Sequence, residues 1–179
     1  MITQRFFKRR RFLQYLIGSG LATTAISWLW TLTKTSRAVD LDDFCLTYPH
    51  NSQCDDYLPG VQALDEADNP YQADTILAQA DTGDRLLAQG LRKEVYLVIE
   101  EEPKIASYAI SSVCTHLRCT VNWDQAGQEF VCPCHGSRFD SLGRVNRGPA
   151  RRSLALVTVV VKENQVRLVD REPRENPRT

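Results

Sequence analysis

Cys114-Thr-His116-Leu-Arg-Cys119 and Cys132-Pro-Cys134-His135-Gly-Ser137 stand only twelve residues apart. Four of the chain's six cysteines and two of its three histidines fall within the 22 residues from Cys114 to His135. Thiolates and imidazoles are metal donors, and neither a solvated loop nor an apolar core explains why they should gather here. A structural zinc site also takes four such ligands, but its usual spacing pairs Cys with Cys and His with His. Here each segment mixes the two. A framework of disulfides alone fits the even cysteine count of an exported chain but leaves His116 and His135 without a role.

The two strings resemble the Rieske iron–sulfur family. Within it they are most similar to the Rieske subunit of quinol-oxidising cytochrome bc and bf complexes, whose pattern is C-T-H-L-G-C followed by C-P-C-H-G-S. The likeness runs from roughly Arg85 to Asp170, about half of the chain. It implies one [2Fe–2S] cluster per chain, with Cys114 and Cys132 on one iron and His116 and His135 on the other. It also implies a disulfide between the remaining pair, Cys119 and Cys134. Oxygenase-type Rieske ferredoxins need only C-x-H and C-x-x-H, so these two cysteines favour the disulfide-bearing branch.

The resemblance further implies a function. Two neutral imidazoles in place of thiolates leave the oxidised centre less negative and easier to reduce, and the imidazole nitrogen facing away from iron can couple a proton to the electron. The expected role is electron-transfer subunit of a quinol–cytochrome or plastocyanin oxidoreductase rather than an enzyme alone. It would take electrons from a quinol and pass them to a cytochrome or copper protein. A b-type cytochrome subunit is the expected neighbour, and no nucleic-acid partner is expected. Two other classes stay open: a stand-alone lower-potential carrier or redox sensor, and a zinc-stabilised binding module, which would be colourless and silent in electron paramagnetic resonance.

Several positions test how closely the family pattern is followed. Ser137 matches the serine whose hydroxyl bonds a cluster sulfur and favours the reduced state; simple loop capping is its alternative. Where high-potential members carry tyrosine two residues later, this chain has Phe139, which implies a lowered midpoint potential. Arg118 replaces the family glycine beside Cys119. Gly148-Pro149-Ala150 match the start of the proline-bearing loop that covers the cluster, yet Arg151 and Arg152 follow where the family has Pro-Leu. Those arginines add cations to the tip, with ordinary solvated charges as the alternative.

The elements that must hold these loops come from the rest of the 179 residues, enough for one domain with appendages. Net charge is zero but unevenly placed. Residues 1–11 form a basic start, and Arg9-Arg10-Arg11-Phe12-Leu13 resembles a twin-arginine export signal. Residues 12–33 lack any charge, and 22 helical residues reach about 33 Å, enough to cross a bilayer's hydrocarbon core. The segment is expected to be a retained transmembrane helix, with Ser36-Arg37-Ala38 as a possible cleavage site. Positive charge then stays inside, the N-terminus is cytoplasmic, and the head lies on the periplasmic or thylakoid-lumen side.

Residues 34–84 read as an acidic connector. Between Arg37 and Arg85 lie eleven acids and no Lys or Arg, with Pro49, Pro59, Gly60 and Pro70 interrupting. A short helix is expected near Ala73–Ala80, and Cys45 and Cys54 are a possible second disulfide. No flexible Gly-rich hinge of the bf type is evident. Alternation and β-branched content predict strands at 85–89, 94–100, 105–110, 128–131, 154–162 and 165–170. The predicted head, 85–171, is therefore mainly β, an antiparallel Rieske-type fold with a cluster-binding subdomain. Residues 172–179 are expected to fray as a charged, Pro-containing tail.

Overall fold

In the computed structural model, which describes residues 39–101 and 103–179, the described part begins with α1 (Leu41–Thr47), a 3₁₀ turn (Ser52–Cys54), β1 (Val61–Gln62) and α2 (Ala73–Gln79). Eight more strands follow in order: β2 (Arg85–Ala88), β3 (Val95–Glu100), β4 (Lys104–Ser111), β5 (Asn122–Asp124), β6 (Glu129–Val131), β7 (Arg138–Asp140), β8 (Val145–Arg147), β9 (Leu156–Lys162) and β10 (Gln165–Val169). The expected mainly β fold is what forms. Every strand pairing is antiparallel. The strands make a six-stranded sheet in the order β1-β10-β9-β4-β3-β2 and a four-stranded sheet in the order β5-β6-β7-β8.

Burial along β3 explains how the two sheets combine. Val95 to Ile99 are all buried, the pattern of a strand covered on both faces. Val95, Leu97 and Ile99 point into one core with Ala63, Ala73, Ile76 and Val166. Tyr96 and Val98 point into the other with Phe130, Phe139, Cys114 and Cys132. The larger sheet is thus a platform: α2 closes one face, and the site-bearing loops rest on the other. Tyr96 fixes that second face by donating its hydroxyl to the Val121 carbonyl at 2.9 Å.

Arg85 ties the sheets together. Its Nη1 donates to the Gly83 and Asp84 carbonyls, its Nη2 reaches the Ser141 carbonyl at 2.9 Å, and the guanidinium lies 4.9 Å from the Trp123 ring centre. Burial pulls its pKa below the ordinary guanidinium value, with nearby Tyr108, Asp84 and Glu100 acting the other way. Trp123 itself packs 4.7 Å from Phe130, as expected of a core residue.

The acidic stretch differs from a free connector. From Val39 onward it belongs to the same compact unit as the strands. Asp40 caps α1 by accepting from the Asp42 N–H, and Asp42 and Asp43 sit in the favourable first turn. Cys45 and Cys54 are disulfide-bonded, as anticipated. Lys162 Nζ donates to the carbonyls of Cys54, Asp55 and Tyr57, and Arg171 pairs with Asp40 and Asp43. β1 then pairs with β10, and α2 lies where the sequence placed a helix. The stretch read as a linker is instead strapped down by basic side chains from the C-terminal third, which pair with two of its acids and bond its carbonyls.

The last residues do not fray either. Pro173 is buried, Arg174 donates to the Leu46 carbonyl, and Arg178 bonds the carbonyls of Leu142 and Leu154 at 2.9 and 2.8 Å. Carbonyls left over at loop positions capture an arginine whose charge alone had suggested solvent. Among the described residues no helix is long and apolar enough to cross a membrane. The twin-arginine string, the segment 12–33 and the site at 36–38 lie outside the described residues.

Candidate metal centre

Two loops of the same backbone design carry the donors. In the first, the Cys114 N–H donates to the Cys119 carbonyl at 2.8 Å and the Arg118 N–H to the Cys114 carbonyl at 2.9 Å. In the second, the Cys132 N–H donates to the Ser137 carbonyl at 2.8 Å and the Gly136 N–H to the Cys132 carbonyl at 3.0 Å. Each loop opens on a buried cysteine and turns at a left-handed fifth residue, Arg118 at φ 63° and Gly136 at φ 69°. Glycine reaches that conformation freely and arginine only with strain, which gives the glycine of the family pattern a physical reason. Sequence reading saw the substitution at Arg118 but not this repeat; the equal Cys-to-turn offset in the two strings was the available signal.

The six residues then separate by role. Cys119 and Cys134 form a disulfide that bridges the loops, with their Cα atoms 6.5 Å apart. Cys114 and Cys132 remain free thiols, each about 1% exposed. The sulfurs of Cys119, Cys132 and Cys134 all lie within 4.8 Å of one another. Two of those three are bonded together and offer no thiolate, so their closeness locates the disulfide against a free thiol rather than marking a three-sulfur site. His116 and His135 meet edge to face, with ring centres 4.8 Å apart.

Burial pushes the Cys114 thiol above the ordinary range. The neighbouring Cys132 adds to the rise, while the His116 backbone N–H and the Ser137 hydroxyl pull it down. As neutral thiols the pair sits comfortably in the apolar core. As thiolates, they need a cation between them. His116 Nδ1 is buried and has no hydrogen-bond partner, a costly state for an imidazole nitrogen unless it ligates something. Two soft sulfurs and two imidazoles, one with an orphaned nitrogen, therefore fit the donor set of a mixed-ligand iron–sulfur cluster.

A third loop closes over the second. Gly148 has φ 99°, and a Cβ there would fall 2.6 Å from Ser137 Cα, so only glycine permits the approach. Beyond Pro149, the Ala150 N–H donates to Ser137 Oγ at 3.2 Å. Thr115 Oγ1, whose role the sequence did not reveal, donates to the Arg152 carbonyl at 2.5 Å and joins this loop to the first. Ser137 is fully buried and clips the loop through its Oγ, and its hydroxyl is among the groups that hold the Cys114 thiol down. Phe139, also fully buried, shares the core that holds both free thiols.

Comparisons with known proteins agree with this arrangement. A profile described as the Rieske [2Fe-2S] domain matches residues 75–163. The cytochrome b6-f complex iron-sulfur subunit of Synechococcus sp. (strain CC9605) is 48% identical over 108 residues, 60% of this chain and 61% of that protein. The chain thus spans about three fifths of the length of that relative. The cytochrome b6-f complex iron-sulfur subunit 2 of Nostoc sp. (strain PCC 7120) is 38% identical over 159 residues, 88% of this chain and 82% of that one. A crystal structure of the plasma membrane Rieske protein of Synechocystis PCC 6803 overlaps 55% of this chain and 94% of its own, at 31% identity and a TM-score of 0.44. With a mixed Cys/His donor set on two matched loops and a relative alike over four fifths of its length, the chain belongs to the Rieske [2Fe–2S] family, and its cofactor is a [2Fe–2S] cluster.

Proposed function

We propose that Cys114 and Cys132 hold one iron as thiolates and that His116, through its orphaned Nδ1, and His135 hold the other. The protein would then work as a membrane-anchored electron-transfer subunit of a quinol-oxidising cytochrome complex, with residues 12–33 as anchor and the head outside the cytoplasm. When bound, the cluster takes up one electron and gives it back. The chain's own residues do the rest. His135 is exposed, so its outward ring nitrogen is the atom placed to receive a quinol hydroxyl proton. Cys114, Cys132 and Ser137 are buried and keep water from the sulfur side. The Cys119–Cys134 bridge holds the loops, and therefore the two imidazoles, in fixed relation.

The observation that carries this reading is the selective pairing of cysteines: two are oxidised together while the two buried ones beside them stay free. Native protein drawn from membranes should bring along a b-type cytochrome, visible in the reduced-minus-oxidised spectrum, and should be reduced on adding quinol. Head material that carries a reducible cluster but no cytochrome and no response to quinol would favour the second reading, a stand-alone lower-potential carrier. That reading draws support from Phe139, whose ring fills a buried position near the thiols without a hydroxyl.

A further inference from the structure

The tip around the two histidines carries a charge pattern of its own. Loops 112–121, 132–138 and 147–155 contain no aspartate or glutamate. They carry Arg138, which is ion-paired, and Arg118, Arg147, Arg151 and Arg152, all exposed. Among the described residues Arg118, Arg147, Arg151 and Arg152 are not ion-paired. Nearby arginines are neutralised, Arg138 by Glu129 and Arg144 by Asp140. The Thr115 bond to the Arg152 carbonyl holds residues 151–152 beside the first loop, and Arg118 lies two residues past His116. In the same loop Leu117 is 62% exposed.

Chance scatter does not account for this. The chain has 22 cations and 22 anions, yet the acids nearest the N-terminal side are engaged at the sheet, where Arg171 takes Asp40 and Asp43. What remains at the histidine end is unopposed positive charge in the loop of an exposed apolar side chain. An apolar contact rimmed by one sign of charge is how steered, short-lived protein encounters are built. Charges within a Debye length of about 8 Å of the exit point act on the encounter itself, and steering of this kind changes rates by about 10- to 1,000-fold.

We propose that this tip is the docking surface for an acidic electron-transfer protein, whose carboxylates surround the apolar patch that receives Leu117. The inference rests on the electron-transfer reading above and names the partner's chemistry. In the encounter one electron leaves the reduced centre and enters a ferric haem, which becomes ferrous; no atom is exchanged.

The test uses the full chain, loaded with its cluster in neutral detergent, reduced with dithionite and desalted. Stopped flow follows its oxidation by a basic c-type cytochrome and by the same cytochrome with its lysines succinylated to carboxylates. The acidic form should react fastest at low salt and slow as salt rises. Arg151→Glu with Arg152→Glu should lower that rate about tenfold at low salt and raise the rate with the basic form. Comparing variants with one cytochrome removes any difference in haem potential. Arg118→Gly, at a φ that glycine adopts freely, should lower the acidic-form rate by a smaller factor. As a readout independent of turnover, the acidic cytochrome should protect Arg151 and Arg152 from phenylglyoxal.

An unchanged rate in the charge-reversed variant, at full cluster content by electron paramagnetic resonance, overturns the proposal. So does protection by phosphatidylglycerol vesicles but not by the acidic cytochrome, which would assign the surface to lipid. If the loaded chain reduces neither cytochrome, the electron-transfer reading falls and takes this one with it. If it reduces both at one rate with one salt slope, only the docking surface is lost.

Discussion

At residue scale the site separates donors from tuners. Ser137 accepts from the Ala150 N–H, and its hydroxyl pulls the pKa of the neighbouring Cys114 thiol down, so it joins a structural bond to an electronic influence. Phe139 can do neither. Its ring is fully buried in the core cluster that holds both free thiols, and on the proposed ligation a tyrosine hydroxyl there would donate to a ligand sulfur that is most negative in the reduced state. A charge-assisted bond that favours one redox state by about 1 kcal/mol shifts a one-electron couple by on the order of 40 mV. Phe139→Tyr should therefore raise the midpoint potential by that amount in protein-film voltammetry. A potential that stays put, with the cluster intact, would remove Phe139 as the cause of any low value. The identity of this position was readable from the string after Ser137. The double use of Ser137 was not, because it depends on a loop ten residues further on folding back.

At the scale of elements, the long strands were legible, as were the short β2 and β6, while β5, β7 and β8 were not. β3, β4, β9 and β10 have enough β-branched and aromatic residues to outlast their turns, and Glu163-Asn164 turns the last pair with both residues at positive φ, 51° and 64°. β5, β7 and β8 have three residues each with one large apolar side chain apiece, Trp123, Phe139 and Val145. Three residues cannot display an alternation. Their positions are set by tertiary contacts, above all by Arg85, which reaches from β2 to Ser141 and stacks on Trp123. Arg85→Ala would leave three carbonyls short of a donor and a ring without its cation. Such losses run at about 1.5–3 kcal/mol for bonds to a charged group. The variant should unfold at correspondingly lower guanidinium concentration, and it should lose its cluster more readily because the small sheet carries the second ligand loop. Arg85→Lys restores the charge but not the planar fork, so recovery should be partial.

For the whole molecule, the sequence placed eleven of its acids in residues 34–84, while nine Lys and Arg against four acids lie from Arg144 to the end, and folding brings these two stretches together. The acidic stretch after Val39 closes on the basic C-terminal strands through Lys162, Arg167 and Arg171, while the tip keeps its cations. Composition announced the charges, but not that Arg171, 131 and 128 positions away, would pair with Asp40 and Asp43; Pro and Asp content looks the same in a linker and in a strapped-down segment. Residues 39–84 therefore move with the sheet and provide no pivot. The Cys45–Cys54 disulfide secures the strap at its outer end, far in sequence from the cluster loops. Loop-closure entropy for a ring of this size is worth about 2.7 kcal/mol, which lowers Tm by on the order of 8 °C for a chain of this length. Cys45→Ala with Cys54→Ala should show that fall, together with faster hydrogen exchange confined to 40–60, while the visible spectrum of the cluster stays unchanged. The two disulfides can then be distinguished by the same spectrum, since Cys119→Ala with Cys134→Ala frees the ligand loops themselves. Loss of absorbance in the first variant as well as the second would mean that the strap and the metal centre are mechanically one, and that the platform between them transmits strain rather than isolating it.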